Sequence, residues 1–151
     1  LVNGTAAQTT LERRKIMALL EWNESLSVNV SEIDREHQLL VGMINELNDA
    51  MRWGKGKEVL GSILNGLISY AGSHFRTEEN YFDKFGYPQA SAHKKEHSDF
   101  VAKVSEFRTG FENGKLGVTI GVLFFMSDWL RKHIEGSDKE YGPFFNAKGL
   151  K

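Results

Sequence analysis

Five histidines, His37, His74, His93, His97 and His133, are the residues of this chain whose types and spacing could do chemistry. His93-Lys94-Lys95-Glu96-His97 sets two imidazoles one helical turn apart, on one face, where both could reach the same metal ion. His74-Phe75-Arg76-Thr77-Glu78 repeats that geometry with a carboxylate as the second donor. Either pair alone arises often by chance, and a single histidine on an apolar face is more often a satisfied core residue than a ligand. Here all five fall inside apolar stripes of helical period, and each of four stripes carries at least one. Burying so many polar rings without partners would be costly, and a shared metal removes that cost.

The segment His133-Ile134-Glu135-Gly136-Ser137-Asp138 fits less simply. Five residues turn an ideal helix about 140° past one full turn, so His133 and Asp138 would not share a face. Gly136 is expected to loosen or end the helix there and let Asp138 swing inward. Five imidazoles and two carboxylates are too many donors for one ion, whereas two ions bridged by the carboxylates use them all. With no cysteine in the chain, thiolate zinc sites, iron–sulfur clusters and disulfides are excluded. Imidazole with carboxylate suits iron, zinc, copper or manganese. Ferritin-like di-iron sites use four glutamates and two histidines. A mainly neutral ligand set stabilises high-valent iron less, which favours reversible oxygen binding over oxygenase chemistry.

Four helices must position these groups. The first stripe is Ile33, His37, Leu40, Ile44, Leu47 and Met51, ending at Gly54 and Gly56. The second is Val59, Ile63, Leu67, Tyr70, His74, Glu78, Phe82 and Phe85, closed by Gly86. The third follows Pro88 and runs through His93, His97, Phe100, Val104, Phe107 and Phe111 to Gly114. The last is Val118, Val122, Phe125, Trp129 and His133, meeting Gly136. No strand-like alternation occurs. Short connections make neighbours antiparallel, so the predicted fold is all-α, an up-down-up-down four-helix bundle. Leu19 to Val30 would pack along it as an extended N-terminal arm, and Tyr141 to Lys151, with Phe144 and Phe145, would dock as a short C-terminal segment.

The chain's 151 residues suit one domain. Residues 1–16 read as a linker or tail, and 17–151 as the domain. Nineteen basic and twenty acidic side chains nearly cancel, so the footprint of a nucleic-acid binder is absent. No apolar run reaches the roughly 18 residues that span a bilayer, and no secretory leader opens the chain. No membrane contact and a cytoplasmic location are expected.

These residues resemble the hemerythrin family from about Leu20 to Phe145. Glu21-Trp22-Asn23 and Val28, ahead of Ile33-Asp34-Arg35-Glu36-His37, look like the family's entry to its first helix. His74 to Glu79, His93 to His97 and Trp129 to Asp138 look like its later signatures, and the family's aspartate bridges from the same awkward offset. The resemblance implies that His93, His97 and His133 bind one iron, His37 and His74 the other, and that Glu78 and Asp138 bridge them beside an oxo or hydroxo group. It implies an open position on the two-histidine iron, where dioxygen takes both electrons and binds as hydroperoxide. Leu40, Phe75, Trp129, Leu130 and Ile134, next to ligands, are candidate walls of an apolar oxygen pocket. Arg76, Lys94, Lys95, Arg131 and Lys132 read as a solvated face.

The expected function is binding rather than catalysis. The chain resembles bacterial hemerythrin-like domains at the C-terminus of methyl-accepting chemotaxis receptors, which implies oxygen or redox sensing with other receptor domains as partners. The alternatives are oxygen storage or transport, and a di-iron redox enzyme such as a peroxidase or nitric-oxide reductant.

Overall fold

A computed structural model describes residues 18–114 and 120–151. The expected linker, 1–16, and Val118 of the fourth stripe lie outside the described residues. Four long helices form the bundle: α1 (Ser31–Arg52), α2 (Lys57–Phe85), α3 (Ala90–Glu112) and α4 (described from Ile120 to His133). No strand occurs among the described residues. Short turns reverse the chain between α1 and α2 and between α2 and α3. Gly86, which caps α2, has φ of +67°, a left-handed conformation that glycine adopts without steric penalty.

Each stripe turns inward. Ile33, His37, Leu40, Ile44 and Leu47 of α1 are buried, as are Leu67, His74, Glu78 and Phe82 of α2. Val59 departs from expectation and is exposed, while its neighbour Leu60 packs partly against the core. Burying such side chains contributes about 1.5–3 kcal/mol each, which holds the bundle together around a polar centre.

The expected arm is present, with one short 3-10 turn at Glu24–Leu26. Leu20, Leu26, Val28 and Val30 are buried. Side chains of α1 fasten it: Asn45 Oδ1 accepts the Leu19 and Leu20 N–H groups, and Asn45 Nδ2 donates to the Leu20 carbonyl. Asp34 accepts from Ser27 Oγ at 2.6 Å and from the Val28 N–H at 2.8 Å.

The end of α4 takes the first of the two expected forms: Gly136 lies in a loosened turn and does not end the helix. The chain runs through a π-turn, Ile134–Asp138, directly into α5 (Lys139–Ala147). The Lys139 N–H bonds back five residues to the Ile134 carbonyl. A turn closed over five residues restores the face that an α-helix would lose, and such turns occur often at functional sites. The C-terminal segment docks as expected: Tyr141 and Phe145 of α5 are fully buried, and Asn146 Nδ2 donates to the Asn29 carbonyl of the arm at 2.9 Å.

Candidate metal centre

All seven expected ligand residues meet in the centre of the bundle, and none is more than 5% exposed. They form two groups, each with one donor atom per residue and all donors within 4.8 Å of one another. One group is Glu78, His93, His97, His133 and Asp138; the other is His37, His74, Glu78 and Asp138. Glu78 and Asp138 belong to both. The π-turn brings Asp138 there, with Oδ1 3.0 Å from His133 Nε2 and 2.9 Å from His93 Nε2. Its other oxygen lies 3.1 Å from His37 Nε2. Glu78 Oε2 lies 2.9 Å from His97 Nε2, and Oε1 3.3 Å from His74 Nε2.

The spacing of the nitrogens is that of ligands around one ion. His133 Nε2 is 3.1 Å from both His93 Nε2 and His97 Nε2. Two nitrogens about 2.1 Å from a metal and at right angles to each other stand about 3.0 Å apart.

Buried His37 Nε2, His74 Nε2, Glu78 Oε2 and both Asp138 oxygens have no hydrogen-bond partner. Several lie within about 3 Å of an opposite group, yet their lone pairs point to a common centre rather than at each other. Leaving five such atoms unsatisfied would cost about 1–3 kcal/mol apiece, comparable to the whole stability of a domain. Metal bound at this centre would satisfy these five, though not His37 Nδ1, which also has no hydrogen-bond partner, so the donor set fits the centre that the residue types imply.

The electrostatics agree. Burial alone would push Glu78 up, but the His74 charge and the close His37 and His97 rings hold it well below the usual carboxylate range. Asp138 is also lowered: burial and the Glu78 charge oppose its ionisation, and His133 and His37 outweigh them. Burial disfavours a charged His74, yet the Glu78 charge and the bond to Glu36 raise it to about 10. His133 rises against burial to about 9, chiefly through Asp138.

A second tier of carboxylates aims the rings. Glu36 bonds His74 Nδ1 at 2.7 Å, Glu79 bonds His97 Nδ1 at 2.9 Å, and Glu96 bonds His133 Nδ1 at 2.7 Å. Each carboxylate comes from the helix before that of the histidine it holds. Anchoring Nδ1 turns Nε2 inward and makes the imidazole a better donor. Sequence reasoning quoted these glutamates within the motifs but assigned them no role; their signal was that each adjoins a ligand in the chain. Tyr141, also unassigned, donates its hydroxyl to Glu78 Oε1. Among the candidate pocket residues, Phe75 stacks on His97 at 3.9 Å between centroids, and Trp129 stacks on His133 at 4.4 Å. Leu40, Leu130 and Ile134 are buried in the same core. Of the expected solvated face, Arg76, Lys95, Arg131 and Lys132 are exposed, while Lys94 is half-buried and pairs with Asp83 at 2.7 Å.

A four-helix bundle whose buried histidines and carboxylates form two overlapping ligand groups defines a metal-binding protein of the histidine-rich class. Residues 28–145 match the hemerythrin HHE cation-binding domain. The bacteriohemerythrin of Methylococcus capsulatus (strain Bath) is 36% identical over 132 residues, covering 87% of this chain and 100% of that protein. The bacteriohemerythrin of Pseudomonas aeruginosa (strain PAO1) is 37% identical over 125 residues, covering 83% and 80%. A crystal structure of wild-type hemerythrin superposes with a TM-score of 0.80 at 35% identity, covering 83% of this chain and 97% of that one. The chain belongs to the hemerythrin family.

Proposed function

We propose that residues 17–151 act as one domain that holds two iron ions with an oxo or hydroxo bridge and binds dioxygen reversibly. The observation that carries this reading is the sharing of Glu78 and Asp138 between ligand groups of five and four residues. Five protein donors would hold the metal on the His93, His97 and His133 side and four on the His37 and His74 side, which leaves room there for a small ligand. Two ferrous ions so held would supply the electrons for reversible dioxygen binding. The protein's own part is to bind, orient and keep dry. Leu40, Phe75, Trp129, Leu130 and Ile134 exclude water, and the Nδ1 carboxylates hold the rings.

The role that fits best is an oxygen- or redox-sensing module of a chemotaxis receptor. The arm supports it, because it joins the residues before it to the helix that carries His37, and the Trp22 ring lies 6.4 Å from the His37 ring. Oxygen storage is the second reading, supported by the relative whose entire length this chain covers. No helix among the described residues is long and apolar enough to cross a membrane.

The test is optical. Iron-loaded protein is reduced without oxygen, then exposed to oxygen. A new charge-transfer band that vanishes when oxygen is removed supports the reading. A long-lived band favours storage, and one that decays quickly to the ferric state favours sensing. Iron-loaded protein that gives no band contradicts oxygen binding.

A further inference from the structure

Glu78 and Asp138 are common to both ligand groups, and their four oxygens are not alike. Glu78 Oε2 and both oxygens of Asp138 have no hydrogen-bond partner among the described residues. Glu78 Oε1 has one: the hydroxyl of Tyr141 donates to it. That oxygen serves one side of the centre. It lies 3.3 Å from His74 Nε2 and 3.7 Å from His37 Nε2, whereas Oε2 lies 2.9 Å from His97 Nε2 and 3.8 Å from His93 Nε2. Among the described residues, the one hydroxyl bonded to a shared carboxylate therefore addresses the two-histidine side, where the donor count leaves room for a small ligand.

Packing holds that hydroxyl where it is. Tyr141 follows Asp138 by three residues, in α5, and is fully buried. Its ring meets those of Phe145 at 4.7 Å, His93 at 5.5 Å, Phe82 at 5.6 Å and Tyr87 at 6.3 Å between centroids. Phenylalanine would fill the same space with no polar group to desolvate, so packing alone does not call for the hydroxyl. Its bond is to a carboxylate, which is among the stronger kinds of hydrogen bond.

We propose that Tyr141 is a positioning residue that tunes the metal on the two-histidine side through Glu78 Oε1, favouring the ferrous state in which dioxygen binds. This rests on the di-iron reading above. Donation to Oε1 draws electron density from that oxygen and weakens it as a ligand. A ferric ion depends on anionic donors more than a ferrous ion does, so a weaker Oε1 raises the potential of the pair. The same bond keeps Oε1 turned to the two-histidine side, so that Glu78 spans both ligand groups instead of giving both oxygens to one.

The test is the ferric–ferrous potential of iron-loaded protein, titrated without oxygen after its iron content has been measured. Tyr141→Phe should shift the equilibrium toward ferric iron by about tenfold, or about 59 mV for one electron. 3-Fluorotyrosine placed at position 141 keeps the ring's shape but donates more strongly, so it should raise the potential. Tyr87→Phe removes a different hydroxyl from the same aromatic cluster and should leave the potential where it is. A ring that only fills space would not move the potential in opposite directions in the two position-141 proteins. Potentials equal to wild type in both, or moved the same way in both, overturn the inference. If Tyr141→Phe does not fold, the fluorinated protein decides: a raised potential supports the inference and an unchanged one overturns it. Wild type that binds dioxygen while these potentials do not differ refutes this inference alone, whereas wild type that takes up no iron refutes the di-iron reading and this inference with it.

Discussion

Replacing Gly142 with alanine sets two effects of opposite sign against each other. Gly142 lies within α5, where alanine normally stabilises a helix by about 0.5–1 kcal/mol over glycine. A Cβ at this position, however, would stand 2.6 Å from the Val28 carbonyl oxygen. Carbon and oxygen not bonded to each other rest at about 3.3 Å or more, so something must move by about 0.7 Å. The obstacle is backbone, and Asp34 anchors it through the Val28 N–H at 2.8 Å. Overpacking of this kind costs about 1–3 kcal/mol, near the upper end when backbone must shift. The clash wins, and Gly142→Ala should destabilise by about 2 kcal/mol. Gly42 and Gly66, in α1 and α2, have nothing within 4 Å of an added Cβ, so alanine there should stabilise by about 0.5–1 kcal/mol. Urea unfolding of iron-loaded protein at fixed metal concentration checks both signs. The Gly142→Ala midpoint should fall by about 1 M and the two controls should rise by a few tenths, with unchanged slope. A Gly142→Ala midpoint equal to or above that of wild type would refute the packing of the arm against α5.

Removing any one anchoring carboxylate, by Glu36→Ala, Glu79→Ala or Glu96→Ala, should weaken metal affinity by about 10–100-fold, measured by chelator competition; unchanged affinity would mean that packing alone aims the rings. Asp138→Ala removes a donor from both ligand groups, so metal analysis should find fewer than two irons per chain, and a full pair would contradict the shared bridge. Acid and base act oppositely on the metal-free protein and on metal binding. His74 at about 10 and His133 at about 9 lie above the ordinary 6.5, so the stability they contribute is full below about 6.5 and is lost as pH rises through 9 to 10. Iron competes with the same protons and should bind more tightly as pH rises over that range. Urea midpoints of metal-free protein that rise with pH across this window would show the sign to be wrong.

The bundle and its ligands were legible because burial and chemistry share one period. An apolar stripe predicts which face turns inward, and a histidine in that stripe must enter the core with it. The His133-to-Asp138 step was legible only in part. An α-helix cannot put both on one face, so Gly136 was expected to loosen or end the helix and bring Asp138 inward; that the chain closes a turn over five residues instead of breaking does not show in the sequence. The anchoring glutamates were hidden differently. Glu36, Glu79 and Glu96 each sit one residue from a ligand, about 100° off the core stripe, where a carboxylate normally reads as solvated. Their partners are on neighbouring helices, so only the packed bundle reveals that Glu96 reaches His133 or that Glu36 reaches His74. Val59 lay on the extrapolated stripe, but a stripe carried to a helix end drifts, and Leu60 packs against the core there.

The account's central claim is that these seven residues hold two irons that together take up one dioxygen and release it. The most direct measurement is a titration of the fully reduced, iron-loaded protein with dissolved oxygen, followed by its charge-transfer absorption and then by removal of oxygen. The account predicts an endpoint at one dioxygen per two irons and return of the reduced spectrum. An endpoint at any other ratio, or absorption that never reverses because oxygen is consumed, would contradict it.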